Sequence, residues 1–155
     1  MSSVLVPGDE STHLHKMLPQ VVNAMSLGLI LLDAQRSVLL WNTWMRQRGS
    51  VVVDDPVGVG IASVFADGLP NALGIAIDNA LRYGLPSLLS NALHGAILPL
   101  FDYKKGSDLP ERIQQSIHVL PLKGEGGERY CVLQIHTLDT AWISALNLKR
   151  DPECV

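Results

Sequence analysis

Charge is scarce in this chain. Only 17% of its 155 residues are Asp, Glu, Lys or Arg, against roughly 25% in an average soluble domain. Formal net charge is −3. The clustered Lys and Arg that grip a phosphate backbone are missing, so no nucleic-acid partner is expected. Long apolar runs are missing too. Asp33 and Asn42 interrupt the longest, far short of the roughly 20 residues that cross a bilayer, and no membrane association is expected. The opening MSSVLVPGDEST has no basic segment followed by an apolar one, so no signal peptide is expected. Cysteine is nearly absent: Cys131 and Cys154 make neither a disulfide framework nor a metal-ligand pair, and a reducing cytoplasm is the expected setting. The low charge also implies a surface covered in part by a partner. At this length one domain with a real core fits better than two marginal ones.

What is present is a succession of short periodic segments. Residues 1–10 read as a loose leader, with Ser11 able to cap the helix that follows. Leu14, Met17, Leu18, Val21, Val22 and Met25 recur at helical spacing and form one apolar stripe. Pro19 interrupts it, which predicts a kink or restart there. The stretch GLILLDAQRSVLLWNTW then delivers two strands, Leu29 to Asp33 and Ser37 to Trp41, joined by a turn short enough to make them antiparallel. Asn42 can accept a backbone N–H two or three residues on and so start a helix from Thr43 to Arg48. After the Gly-rich DDPVGVG comes a turn or two at Ile61 to Phe65. Pro70 opens a stronger helix in which Leu73, Ala76, Ile77, Ala80 and Leu81 share a face, and Gly84 with Pro86 stops it. Strand character returns at Leu88 to His94, Gln114 to Leu122 and Arg129 to Thr137. A long loop with FDYKKGSD separates the first two and the turn KGEGGE the last two. Asp139 is placed to cap a final helix, TAWISALNLK. Strands at both ends with helices between them predict an α+β domain: one five-stranded antiparallel sheet with helices on one face.

Enzyme signatures are absent: no G-x-S-x-G, no G-x-x-x-x-G-K-[ST], no H-E-x-x-H and no paired-Cys motif. Gly58-Val59-Gly60 is a link, too short for a dinucleotide fingerprint. His13 and His15 diverge on their helix and read as solvent-exposed. If Ile117, Val119, Leu133 and Ile135 face inward, His118 and His136 point to the outer face of the sheet, where a helix or partner would cover them. A metal there would need a third ligand that the sequence does not name, and no metal is expected. Cys131 reads as a small buried apolar residue. Trp41 and Trp44, flanking Asn42, line the space under the helices or pack the core.

In this order, LPQVVNAMSLGLILLD, VLLWN, the later Gly49 and the terminal hairpin running into HTLDT resemble the PAS domain family. The likeness covers about Pro19 to Ala145. The segments QSIHVLPL and YCVLQI are similar to bacterial PAS modules that precede diguanylate cyclase or histidine kinase domains. One departure stands out: the family usually closes on Asp-any residue-Thr, whereas this register reads Thr137-Leu138-Asp139, followed by Thr140. The resemblance implies residues 1–18 as leader and N-terminal cap helix, 19–138 as a PAS-like sensor domain, and 139–155 as exit helix and tail. It implies a sensory and dimerisation module, not itself an enzyme, that passes its state to a downstream signalling domain. Some family members hold haem through a histidine on the long central helix or the strand after it. Residues 70–84 contain none, which leaves His94 as the haem candidate; otherwise no cofactor is expected. Light-sensing flavin chemistry would need a cysteine in the helical middle, and both cysteines lie elsewhere.

The implied ligand space lies between sheet and central helices, with Val38, Leu40, Trp44, Ile61, Phe65, Ile77, Leu81, Ile117, Val119, Leu133 and Ile135 as its candidate lining. The same residues equally suit a filled core. Leu14, Met17, Leu18, Val21, Val22 and Met25, with Trp142 on the exit helix, are the candidate homodimer interface. A different class of function, a small α+β pocket enzyme of isomerase or hydrolase type, would have to use Asp78 and His94, and it requires a buried carboxyl group or histidine.

Overall fold

The computed structural model describes residues 9–94, 97–102 and 109–137. The expected exit helix with Leu138, Asp139, Trp142, Ile143 and Leu146 lies outside the described residues, as does Cys154.

Helix α1 spans Asp9–Ala24. Strands β1 (Gly28–Leu32) and β2 (Val38–Trp41) follow and pair antiparallel, as their short connection requires. Asp33 organises the turn between them: its Oδ1 accepts the N–H groups of Gln35 at 3.0 Å and Ser37 at 2.9 Å. This side-chain turn lets Arg36 adopt a positive φ of 65°. Asn42 then starts α2 (Thr43–Arg48) by accepting the N–H of Met45. A single 3-10 turn at Ile61–Ser63 leads to α3 (Asn71–Tyr83). Gly84 ends α3 in the left-handed conformation, φ 65°, which a residue without Cβ adopts freely. Arg129 donates to the carbonyls of Leu81 and Arg82 at the same end.

Next come β3 (Ser87–Ser90), one helical turn α4 (Asn91–His94), the two-residue strands β4 (Phe101–Asp102) and β5 (Glu111–Arg112), and the long strands β6 (Gln115–Lys123) and β7 (Arg129–Thr137). Strands β3, β6 and β7 form the expected antiparallel meander. The sheet closes where β1 pairs with β7, Gly28 opposite Ile135 through Leu32 opposite Cys131. Its order is β2-β1-β7-β6-β3, five strands, all antiparallel. Inward side chains of the sheet, among them Ile30, Leu32, Ile117, Leu133 and Ile135, form one buried cluster with Met45 of α2, Leu73 and Ile77 of α3, and Ile97, Leu98 and Leu100. Each such large side chain contributes about 1.5–3 kcal/mol on burial. Gly28 permits the close approach of α2: a Cβ there would stand 2.6 Å from Met45 Sδ and 2.9 Å from the Trp44 ring.

Five expectations are corrected. Helix α1 spans Asp9–Ala24, so Ser11 lies inside it and not ahead of it, and residues 9 and 10 belong to the helix and not to a leader. Pro19 also sits within one continuous helix, so the chain does not restart there; α1 is exposed along most of its described length, where water can satisfy the carbonyl deprived of its N–H partner. The strand expected from Leu88 to His94 stops at Ser90, because the Ser90 hydroxyl accepts the N–H of Leu93 at 3.3 Å and starts α4. The register of β1 and β2 shifts between Leu31 and Leu32, pairing Leu32 with Val38 and Leu31 with Leu40. That bulge turns Leu40 to the outer face and gives its inward place to Trp41, which opposes buried Ile30. The long loop before β6 carries a structure of its own: β4 pairs with β5, and Leu100 bridges back to Gly49.

Candidate functional site

The segment 97–102 faces the link between the 3-10 turn and α3 across a shared pocket. Ser50 donates its N–H to the Pro99 carbonyl at 2.9 Å, and Ile113 donates to Leu100 at 2.9 Å. Gln115 fastens the segment from below. Fully buried at 0% exposure, its Oε1 accepts the N–H of Leu98 at 3.2 Å and its Nε2 donates to the Leu98 carbonyl at 3.0 Å. A third bond goes to the Ile113 carbonyl. A glutamine that would be costly to bury alone is thereby satisfied, and it reads the backbone of Leu98 as a β-ladder partner would.

Between the two segments lies a cavity of about 470 Å³. Phe65, Leu69, Pro70, Ile97, Pro99 and Phe101 give it apolar walls, while Ser50, Asp67 and Arg112 bring polar groups to it. The Arg112 guanidinium carbon stands 5.9 Å from the centre of the Phe101 ring. The cavity is partly open to solvent, and its lining mixes apolar and polar surface in comparable shares. Of the pocket residues proposed from sequence, the cavity touches Phe65 alone. Val38, Trp44, Ile61, Ile77, Ile117, Val119, Leu133 and Ile135 lie in the core, with Leu81 partly buried against it. The remaining lining went unnoticed because the loop that carries Ile97 to Arg112 has no periodicity to read. Its one cue was the apolar run AILPLF, unusual for an exposed loop.

Neither residue of the enzyme alternative is buried. Asp78 is 40% exposed and forms ion pairs with Arg36 and Arg82. His94 is exposed at the end of α4, its Nδ1 within 3.1 Å of the Ser90 nitrogen and 3.2 Å of the Ser90 oxygen, and it does not line the cavity. Asn42 is 1% exposed and does more than cap. Its Oδ1 also accepts the N–H of Leu29 at 3.0 Å, and its Nδ2 donates to Val22 at 3.1 Å and Leu27 at 2.9 Å. One amide thus joins the end of α1, the start of β1 and the start of α2.

Of the expected dimer residues, Leu14, Met17, Leu18, Val21 and Met25 are exposed and Val22 is half-buried; Trp142 lies outside the described residues. Among the described residues no group of three or more His, Cys, Asp or Glu is placed to hold a metal ion. No described helix is long and apolar enough to cross a membrane.

This arrangement is the PAS fold. The sensory box sensor histidine kinase of Vibrio cholerae superposes with a TM-score of 0.50 at 17% identity, covering 86% of this chain and 99% of that one. The PAS domain of nitrogen regulation protein NR(II) from Vibrio parahaemolyticus gives 0.52 at 13% identity, over 77% of this chain and 96% of its own. The PAS domain of an HTR-like protein from Haloarcula marismortui gives 0.52 at 11%, over 84% and 96%. No protein-family model and no curated protein matches the sequence. At these identities the likeness is one of fold.

Proposed function

We propose that this chain is a sensory and regulatory module, not an enzyme, which takes a small amphipathic ligand beside α3 and passes its state to a downstream signalling output. The observation that carries this reading is the cavity of about 470 Å³, bounded on one side by the chain leading into α3 and on the other by the segment that Gln115 holds. A ligand there would touch both walls, and its binding would be felt by β6 and β7 through Gln115. An output of histidine kinase or cyclic di-GMP turnover type is supported by the sensor histidine kinase among the similar folds and by the sequence resemblance of the β6 and β7 segments. Cytoplasmic placement and homodimerisation through α1 complete the proposal.

A thermal-shift screen of small metabolites tests the site. A ligand that raises the melting temperature of the wild type but not of Leu69→Trp, whose indole would fill the cavity, is the expected result. Stabilisation equal in both proteins would place the ligand elsewhere. The purified chain is expected to be colourless; a Soret band that vanishes in His94→Ala would instead make His94 a haem ligand.

A further inference from the structure

The outer face of the sheet is largely leucine, valine and tyrosine. Leu31, Leu40, Leu120 and Val132 make one cross-strand row, Leu122 and Tyr130 the next. At the other end the pattern breaks. There Ser116 lies opposite His136, and His118 lies opposite Gln134, on adjacent strands β6 and β7. The two histidines are therefore diagonal neighbours, held by two nine-residue strands near the middle of the sheet. Their ring centroids are 5.4 Å apart and their planes meet at 70°.

That separation has a chemical meaning. Two imidazoles bound to one tetrahedral zinc, with Zn–N bonds of about 2.0–2.1 Å, hold their ring centroids roughly 5 Å apart, and each ring can rotate about its own metal bond. The centroid separation of the pair, 5.4 Å, matches that of two imidazoles on one tetrahedral metal. Ser116 and Gln134, on the other diagonal of the same square, have the hydrogen-bonding groups that orient metal-bound imidazoles. Two donors do not make a zinc site, and the described residues offer no third histidine, cysteine or carboxylate beside them. A two-fold axis through this end of the face would bring the same pair from a second copy and complete a four-histidine set. It would also bury Leu88, which flanks His118 on β3 and is otherwise 59% exposed.

We infer that His118 and His136 form half of a zinc-class metal site, completed by His118 and His136 of a second copy of this chain. Each neutral imidazole contributes one nitrogen lone pair, and no residue changes oxidation state.

The test uses the full chain stripped of metal and titrated with zinc by calorimetry in a non-coordinating buffer, with molar mass followed by sedimentation. One zinc per two chains, shared between two copies of this chain, is expected. The stoichiometric binding should be lost in His118→Gln and in His136→Gln but kept in the His13→Gln/His15→Gln variant. Absence of binding, one zinc per single chain, or binding unaltered in His118→Gln or His136→Gln overturns the inference. Cobalt(II) added to the wild type gives an answer independent of any variant: intense tetrahedral ligand-field bands support the site, and weak octahedral bands refute it. A metal-free dimer held by α1 that binds no zinc would refute this inference while leaving the proposed sensory module intact.

Discussion

Single residues set the local geometry, and Asn42 is the one with the most to lose. Its amide makes four hydrogen bonds inside the protein, so Asn42→Ala leaves two N–H groups and two carbonyls to find other partners. We expect a loss of about 3 kcal/mol, more than an ordinary cap alone supplies, measured by urea denaturation. Asn42→Asp should fail nearly as badly, since a carboxylate cannot donate to the Val22 and Leu27 carbonyls. The capping bond was legible in the sequence because it spans three residues. The bonds to Val22, Leu27 and Leu29 were not, because they depend on how α1 returns to the sheet. Cys131 was read correctly as a small buried residue. Burial pushes its thiol up to about 12, with the Arg36 charge acting in the opposite direction. Below the ordinary value of 9.0 the thiol is neutral in both folded and unfolded chains, so its contribution to stability is intact. From there to about 12 the unfolded chain loses the proton and the folded one does not, and stability falls as pH rises. The difference in stability between wild type and Cys131→Ala should therefore shrink between pH 9.0 and 11; a constant difference would refute the assignment.

At the scale of elements, legibility followed periodicity. Helix α3 and strands β6 and β7 were readable because their apolar residues repeat at 3.6 or 2 over nine or more positions. Strand β2 was only half readable: four residues carry too few repeats to reveal a bulge, and so Leu40 was placed inward where Trp41 belongs. Pro19 misled for a different reason, since a proline's cost depends on whether water reaches the freed carbonyl. The described segment 97–102 was opaque, because it is held by the buried side chain of Gln115 and by backbone bonds to distant parts of the chain, none of which leaves a periodic trace in the sequence. Gln115→Leu tests that dependence. The substitution keeps the bulk but removes the partners of the Leu98 N–H and carbonyl, and it should cost about 1–3 kcal/mol. Hydrogen exchange should quicken at Leu98 and Ile113 while the amides shared by β6 and β7 keep their protection. Uniform loss of protection across the sheet would mean that the segment is part of the global folding unit and not a separately held wall of the cavity.

For the whole molecule, the question is what covers α1. Leu14, Met17, Leu18 and Val21 each remain at least half exposed, yet they share one face of a sixteen-residue helix. A helix with an apolar stripe and no neighbour to bury it is marginal in water. Among the described residues, the Asn42 bond to Val22 and the Thr43 N–H donated to Asn23 at 3.1 Å tie the end of α1 to the domain. The exposed stripe can be covered from outside, and a second α1 related by two-fold symmetry offers the same stripe in return. Each side chain so buried contributes about 1.5–3 kcal/mol, and four or five from each protomer can exceed the cost of association. The expected outcome in light scattering, well above micromolar concentration, is a dimer for the full chain and a monomer for the double variant Met17→Glu/Val21→Glu. A chain shortened to begin at Pro19 should also be monomeric, since it keeps Val22 and Asn23 for the Asn42 contacts but lacks Leu14, Met17 and Leu18. Because the stripe does not enter the core, the glutamate variant should keep the urea midpoint of a monomeric domain. A full chain that is itself monomeric under these conditions, with α1 amides exchanging no faster than those of α3, would show that the helix is stable without a partner and would remove the reason for the dimer.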